Sequence, residues 1–240
     1  MSEAMNYMAD VFKPFYQELN KKVENKEFLE DKTGVKYVEI IAPRIAFDLN
    51  NAGDGYIDFE NRKSPRKYID KEKEWYLSEE LKIDKVSDVE IWNKVCDANK
   101  EINSNYGYLV FGKGNFSQYA HAYSALWNHS DTRQAIIIYT RPSIHLEQND
   151  MGGSDFICTN FQQFFIRNNK LYCVTSMRSN DCIFGTFNDV PWFVYVAKRM
   201  YNDLKSIVKY NNLELGEMTF IPNSFHCYER HFDLLAEIAK

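Results

Sequence analysis

The sequence holds only ten glycines and six prolines in 240 residues and no low-complexity stretch, which excludes a collagen-like, linker-dominated or disordered chain. Its five cysteines, Cys96, Cys158, Cys173, Cys182 and Cys227, are odd in number and contain no CxxC pair. Neither a disulfide framework nor a zinc site is expected, and reduced thiols are the simplest reading. No apolar run approaches the ~20 residues of a membrane span, and no charged-then-apolar leader pattern is present, so a soluble cytoplasmic protein is expected. A surplus of positive charge is missing too. The formal net charge is −5, which argues against a nucleic acid polymer as direct partner, because such binding rests on a clustered basic surface. A free nucleotide needs only a few local cations.

What is present is apolar and aromatic residues, 45% and 15% of the chain, enough for one domain over 1–240 with a sizeable core. Residues 1 to about 30 read as a helix interrupted by Pro14. After Asp31-Lys32-Thr33-Gly34, a turn with room for an anion, Val35 to Ile41 reads as a strand. Residues 43–65 form a surface excursion. Helices are expected over 66–80, 89–95 and about 116–127. An apolar strand is expected across Tyr106-Gly107, and the run from Ala135 to Tyr139 reads as a buried strand. Phe161 to Ile166, a turn at Asn168 and Asn169, and Leu171 to Met177 form a strand-turn-strand pattern. A helix from Val190 to Tyr210 follows, with Asn188 or Asp189 as cap and Pro191 in its first turn. Short strands at Met218 to Ile221 and Phe225 to Tyr228 place His226 and Tyr228 on one face.

Taken singly, the chemistry-bearing residues read blandly. Cys158 beside Phe156 and Ile157 is a buried thiol, Arg178 a turn residue, His226 a satisfied histidine, Asp189 a helix cap and Glu72 a solvated helix residue. Arg133 is either a cap or an anion ligand. Their order and spacing change that weighing. The strings DKTGVK, EINSNYG, IYTRPS, SDFICTN, MRSND and FHCYERHF give the chain, from about Asp31 to Phe232, a resemblance to the thymidylate synthase superfamily. Within it the chain is most similar to the phage deoxycytidylate (dCMP) hydroxymethylases.

The resemblance implies an α+β fold: a large mixed β-sheet covered by helices on one side and packed sheet to sheet in a homodimer. It implies dCMP and 5,10-methylenetetrahydrofolate as substrates, no metal, and for a phage protein the host cytoplasm as location. Carried over residue by residue, Cys158 is the nucleophile, Glu72 organises water and proton transfer, and Tyr106 is the tyrosine of the Tyr-Gly motif. Arg178 and Ser179 contact phosphate, Arg133 reaches the phosphate of the partner subunit, and Lys32 stands where thymidylate synthases carry arginine. His226 and Tyr228 hold the sugar hydroxyl, and Trp92 and Asp181 face the folate. Asn160, two residues after the nucleophile, joins Glu72 in guiding water. The chain departs from the pattern in carrying Gln134 where paired arginines are usual, and in ending at Lys240 without the longer tail of its relatives. A weaker phosphate contact from the partner is the expectation.

The chemistry accounts for these residue types. C5 of a pyrimidine is a poor nucleophile until a thiolate adds to C6, and a thiolate can leave again. Nearby arginines favour that thiolate. Asp189 bears on the base: a carboxylate accepts from the N4 amino group of cytosine and stabilises a proton on N3, whereas it would oppose O4 of uracil. The spacing RSNDxxFGxxND puts Asp189 at the base and Asn188 beside it, and a slip of one residue would reverse the substrate. Deoxyuridylate (dUMP) chemistry, hydroxymethylating or methylating, is therefore the alternative. A nucleotide-binding protein without folate chemistry is the alternative from another class.

Overall fold

The computed structural model describes residues 7–147 and 152–240. Residues 1–6 of the expected first helix, and 148–151 of the loop expected between Arg141 and Gly153, lie outside the described residues. In chain order, α1 (Tyr7–Glu24) is followed by β1 (Leu29–Glu30), β2 (Lys36–Ile41) and β3 (Ile45–Asp48). Next come α2 (Arg66–Ser78), α3 (Glu90–Val95), α4 (Tyr106–Phe111), α5 (Gln118–Asn128), β4 (Ile136–Ile138), α6 (Ile144–Glu147) and β5 (Thr159–Arg167). β6 (Lys170–Met177), β7 (Asn180–Asp181), α7 (Gly185–Lys205), β8 (Glu214–Pro222), β9 (Ser224–Tyr228) and α8 (Phe232–Ile238) follow. The chain divides into two compact units: residues up to Pro65 with Asn168–Lys240, and Arg66–Arg167.

The first unit carries two mixed sheets where one large sheet was expected. One has the order β1-β2-β9-β7, with β2 antiparallel and β7 parallel to β9. In the other, β8 pairs antiparallel with β3 and parallel with β6. Helix α1 buries Met8, Ala9, Phe12, Tyr16 and Leu19, a 3.6-residue stripe, and sets Phe12 6.5 Å from both Phe47 and Phe220. Pro14 lies inside this helix on its exposed side, so the carbonyl it leaves without an amide faces solvent. Helix α7 buries Val190, Phe193, Val194, Ala197, Met200 and Leu204 completely. At Gly55, φ is +82°, and a Cβ there would come within 2.9 Å of Val194 and 3.0 Å of the Pro191 backbone; glycine is what lets this turn lie against α7.

Helix α7 corrects the sequence reading. It starts at Gly185 rather than Val190 and ends at Lys205, so Asp189 lies within the helix and does not cap it. The turn before it is closed by Asp181, whose carboxylate accepts from the amides of Ile183 at 2.8 Å and Phe184 at 3.0 Å. Pro191 cannot donate to the Phe187 carbonyl one turn back, and the Ser64 hydroxyl lies 3.5 Å from that oxygen instead.

In the second unit β4 pairs antiparallel with β5, and the stretch across Tyr106-Gly107 is a helix, not the strand expected. Five apolar residues and a glycine fit either period, and the cap decides. The Asn105 side chain accepts from the Tyr108 amide at 2.8 Å and donates to the carbonyls of Trp75 at 3.1 Å and Glu80 at 2.9 Å. It therefore starts α4 and ties it to the end of α2. The helices approach so closely that a Cβ on Gly107 would sit 1.7 Å from the Tyr76 carbonyl oxygen. After β5, Asn168 and Asn169 both have positive φ, 50° and 59°, the pattern of a two-residue type I′ turn for which asparagine is suited. Among the described residues no helix is long and apolar enough to cross a membrane.

Candidate active site

The expected site residues fall into two groups, one in each unit. In the unit Arg66–Arg167 they are Glu72, Trp92, Tyr106, Arg133, Cys158 and Asn160. Glu72 is no solvated helix residue: it is 6% exposed, on the inner side of α2. The Tyr68 hydroxyl donates to its Oε1 at 2.6 Å, and Tyr76 makes a second side-chain hydrogen bond to it. Both tyrosines stand one turn away on the same helix, at i−4 and i+4. Behind Tyr68, the Trp92 indole N–H donates to the hydroxyl at 3.1 Å, which orients the tyrosine proton toward the carboxylate. Burial raises the Glu72 carboxyl to about 7, against the opposing pull of the two tyrosine hydrogen bonds. A carboxyl there is populated in both protonation states near neutrality, the requirement for a group that gives and takes a proton.

Tyr76 stacks on Tyr106 with ring centroids 5.3 Å apart. The Tyr106 hydroxyl accepts from Thr159 at 2.8 Å, and Thr159 is the fully buried neighbour of Cys158. A chain of rings and hydroxyls thus runs from Glu72 to the residue beside the candidate nucleophile. Of the five cysteines, Cys158 alone is not buried, a departure from the bland reading of an inert core thiol. Its approach loop is fixed by Asp155, whose carboxylate accepts from the Ser104 amide at 2.7 Å and the Ser104 hydroxyl at 2.6 Å. Asn160 is half-buried on β5, and its carbonyl accepts from the Tyr139 amide at 3.0 Å. Arg133 is exposed just before β4, its carbonyl held by the Gln163 side chain at 2.8 Å.

In the other unit stand Lys32, Arg178, Ser179, Asp181, Asn188, Asp189, His226 and Tyr228. Lys32 is exposed in a turn built by Asp31, whose carboxylate accepts from Thr33 N at 2.7 Å, Thr33 Oγ1 at 2.6 Å and Val35 N at 3.0 Å. These bonds, the Thr33 hydroxyl foremost, hold the Asp31 carboxyl below its ordinary range. Arg178 is exposed and Ser179 half-buried where β6 passes into β7. Strand β7 pairs Asp181 with His226, and the Arg230 guanidinium lies 3.7 Å from Asp181 and 4.5 Å over the Tyr228 ring. His226 and Tyr228, two apart on β9, have ring centroids 5.0 Å apart, and Tyr37 stands 6.0 Å from each. The expected pairing of His226 and Tyr228 on one face is therefore present.

Asp189 and Asn188 differ in their surroundings. Asp189 Oδ2 accepts from the Asn180 amide at 2.9 Å, whereas the Asn188 Oδ1 is buried and receives no hydrogen bond. Sequence reasoning passed over Tyr68, Tyr76, Thr159, Asp155 and Asn180. The i±4 tyrosines around Glu72 were legible as same-face neighbours, but the other three depend on contacts across loops. Among the described residues no group of three or more histidine, cysteine or acidic side chains is placed to hold a metal ion.

The thymidylate synthase family model matches residues 13–240. The chain is 37% identical over 215 residues to the deoxycytidylate 5-hydroxymethyltransferase of Enterobacteria phage T4, covering 89% of this chain and 84% of that one. The phage T6 protein of the same name matches equally, with 37% identity over the same shares. A thymidylate synthase of Francisella tularensis subsp. holarctica is 26% identical over 227 residues, 89% of this chain and 79% of its own. By the extent of these matches, the chain belongs to the thymidylate synthase family.

Proposed function

We propose that this protein is a deoxycytidylate 5-hydroxymethyltransferase, a folate-dependent one-carbon transferase. The observation that carries the reading is 37% identity across 89% of the chain to enzymes of that name, joined to a carboxylate at position 189 that is hydrogen-bonded by a buried amide. Cys158 is assigned the nucleophile: its thiolate adds to C6 of dCMP and makes C5 nucleophilic. 5,10-Methylenetetrahydrofolate supplies the one-carbon unit that C5 takes, with tetrahydrofolate released, and water completes the hydroxymethyl group as the thiolate leaves. Glu72 is assigned the proton traffic and, with Asn160, the placing of that water, which a buried carboxyl near 7 suits. Tyr106 supports this assembly through its contacts with Tyr76 and Thr159.

Asp189 is assigned to N4 and N3 of cytosine, with Asn188 beside the base. Arg178, Ser179 and Lys32 are assigned to the phosphate; both cations are exposed, as a soluble ligand requires. His226 and Tyr228 are assigned to the sugar hydroxyl, and Trp92 and Asp181 to the folate side. We further assign one catalytic domain over 1–240, a cytoplasmic location and a homodimer in which Arg133 reaches the partner's phosphate. Half-buried Tyr172, Val174 and Ile221, on one face of the strands β6 and β8, support a sheet face that pairs with a second copy. Purified protein given methylenetetrahydrofolate with dCMP, CMP and dUMP in competition is expected to yield 5-hydroxymethyl-dCMP by mass spectrometry. Cys158→Ala is expected to abolish it. A preference for dUMP, or a fully active alanine variant, overturns the reading.

A further inference from the structure

Strands β2 and β9 set three side chains in line. Glu39 and His226 are direct cross-strand partners, and Ser224 precedes His226 by two residues, so all three share one face. The Ser224 hydroxyl donates to Glu39 Oε2 at 2.6 Å. His226 Nδ1 lies 3.2 Å from the Ser224 carbonyl oxygen and 3.4 Å from the Ser224 hydroxyl oxygen. His226 is 6% exposed, with the rings of Tyr37 and Tyr228 at 6.0 and 5.0 Å.

We infer that Glu39 and Ser224 are positioning residues that hold His226 with its proton on Nδ1, so that Nε2 meets a ligand hydroxyl as an acceptor. The hydrogen-bond inventory requires it. A carbonyl oxygen can only accept, so Nδ1 must donate to it. A serine hydroxyl has one proton, and here a carboxylate takes it in a short, charge-assisted bond. The serine oxygen is then an acceptor toward Nδ1 as well. The other tautomer would aim the Nδ1 lone pair at two oxygen lone pairs in a buried site, the arrangement that leaves polar groups unpaired at full cost. Glu39 thus acts two bonds away from the ring, by fixing which way the serine proton points. The consequence for binding is a polarity: the site prefers a ligand hydroxyl that can donate, and an ether at the same place has nothing to offer Nε2.

The sugar hydroxyl as that ligand group rests on the function proposed above, but the tautomer does not, and the test separates them. With ¹⁵N-labelled histidine in the free protein, and His226 assigned by loss of its signals in His226→Gln, Nδ1 is expected to resonate as the protonated nitrogen and Nε2 as the bare one. An Nε2-protonated neutral ring overturns the inference whatever the protein binds. In Glu39→Gln, the new amide can donate to Ser224 and turn its hydroxyl toward the ring, so the spectrum is expected to move toward the Nε2-protonated form. An unchanged spectrum in that variant removes Glu39 from the role. In turnover of dCMP, Glu39→Gln is expected to raise KM about tenfold, the worth of one good hydrogen bond, with kcat little changed. A loss confined to kcat contradicts a role in holding the hydroxyl. Absence of turnover in the wild type, alongside an Nδ1-protonated ring, sinks the proposed function and leaves the tautomer standing.

Discussion

Replacing Glu72 by glutamine should remove a pH dependence that the wild-type fold carries in its stability. The carboxyl is raised from its ordinary 4.5 to about 7 by burial. For an acid whose folded pKa is the higher one, the folded chain keeps a proton that the unfolded chain has released, throughout the interval between the two values. Stability therefore falls as pH rises from 4.5 and levels off above about 7, the reverse of a salt-bridged aspartate. The size of the loss follows from the shift: 4.5 to about 7 is roughly 3 kcal/mol at 1.36 kcal/mol per unit, a large share of the ~5–15 kcal/mol that holds an ordinary domain. Glutamine cannot ionise, so Glu72→Gln has its own constant offset, from repacking and from an amide that meets two tyrosine hydroxyls, but no slope from this position. The quantity to measure is the difference in unfolding free energy between wild type and variant, by urea denaturation from about pH 5 to about pH 8. The variant should gain on the wild type by roughly 2–3 kcal/mol across that range. Parallel stability curves would show that the carboxyl is not held protonated by burial, and the argument for its two-way proton traffic would fall with it.

Other outcomes follow from the same contacts. Tyr68→Phe deletes a donor to the carboxylate form, so the Glu72-dependent limb of the pH–rate profile should move to higher pH by about one unit, taking ~1.5 kcal/mol for a hydrogen bond to a charged group; a limb that stays in place refutes the Trp92–Tyr68–Glu72 arrangement. Gly107→Ala sets a methyl 1.7 Å from the Tyr76 carbonyl oxygen and should destabilise the fold by about 3 kcal/mol or more, seen as a lower melting temperature in circular dichroism. Asp189→Asn should reduce turnover of dCMP and raise that of dUMP, changing the ratio of kcat/KM values by at least about a hundredfold; product analysis of both nucleotides checks it.

Much of the fold is legible in periodicity, and the failures have specific causes. The stripe of α1, the strands around Asn168-Asn169 and the core of α7 follow from apolar spacing alone, because packing and local preference agree there. The stretch Tyr106 to Phe111 is apolar at every position but one glycine, so its period carries no information, and it becomes helical through Asn105, whose three bonds reach Trp75, Glu80 and Tyr108. The start of α7 is displaced for a similar reason. Asp181 closes the turn before the helix from four residues upstream of Gly185, while the Asn188-Asp189-Val190-Pro191 string imitates a capped start. At the site, the character of Glu72 was hidden because a glutamate in RKYIDKEKEWYLSEE looks solvated among its neighbours. Only the side it presents to the interior, between Tyr68 and Tyr76, separates it from Glu74, Glu79 and Glu80.

The exchange at position 189 is allowed by what stands behind it. Asn180 is 3% exposed, and its two ends are chemically committed: the Thr186 hydroxyl donates to its Oδ1, while its Nδ2 donates to Asp189 Oδ2 at 2.9 Å. Because a carboxylate can only accept, the Asn180 amide cannot flip while aspartate stands at 189 without setting acceptor against acceptor. With the Thr186 hydroxyl kept on Asn180 Oδ1, a donor faces position 189 whichever residue occupies it. On the assignment proposed for position 189, aspartate meets that donor with one oxygen and presents acceptor character to the base, which suits the amino group of cytosine. Asparagine would have to turn its oxygen to Asn180, and its amino group would then face the base as a donor, which suits O4 of uracil. The same buried amide thus makes both residues compatible with the fold while giving them opposite polarity toward the ligand. Asn180→Leu tests this directly: without the fixed donor, an asparagine at 189 could take either orientation, so the double variant with Asp189→Asn should discriminate dUMP from dCMP less than Asp189→Asn alone. Equal discrimination in the two would mean that the base is read without help from Asn180.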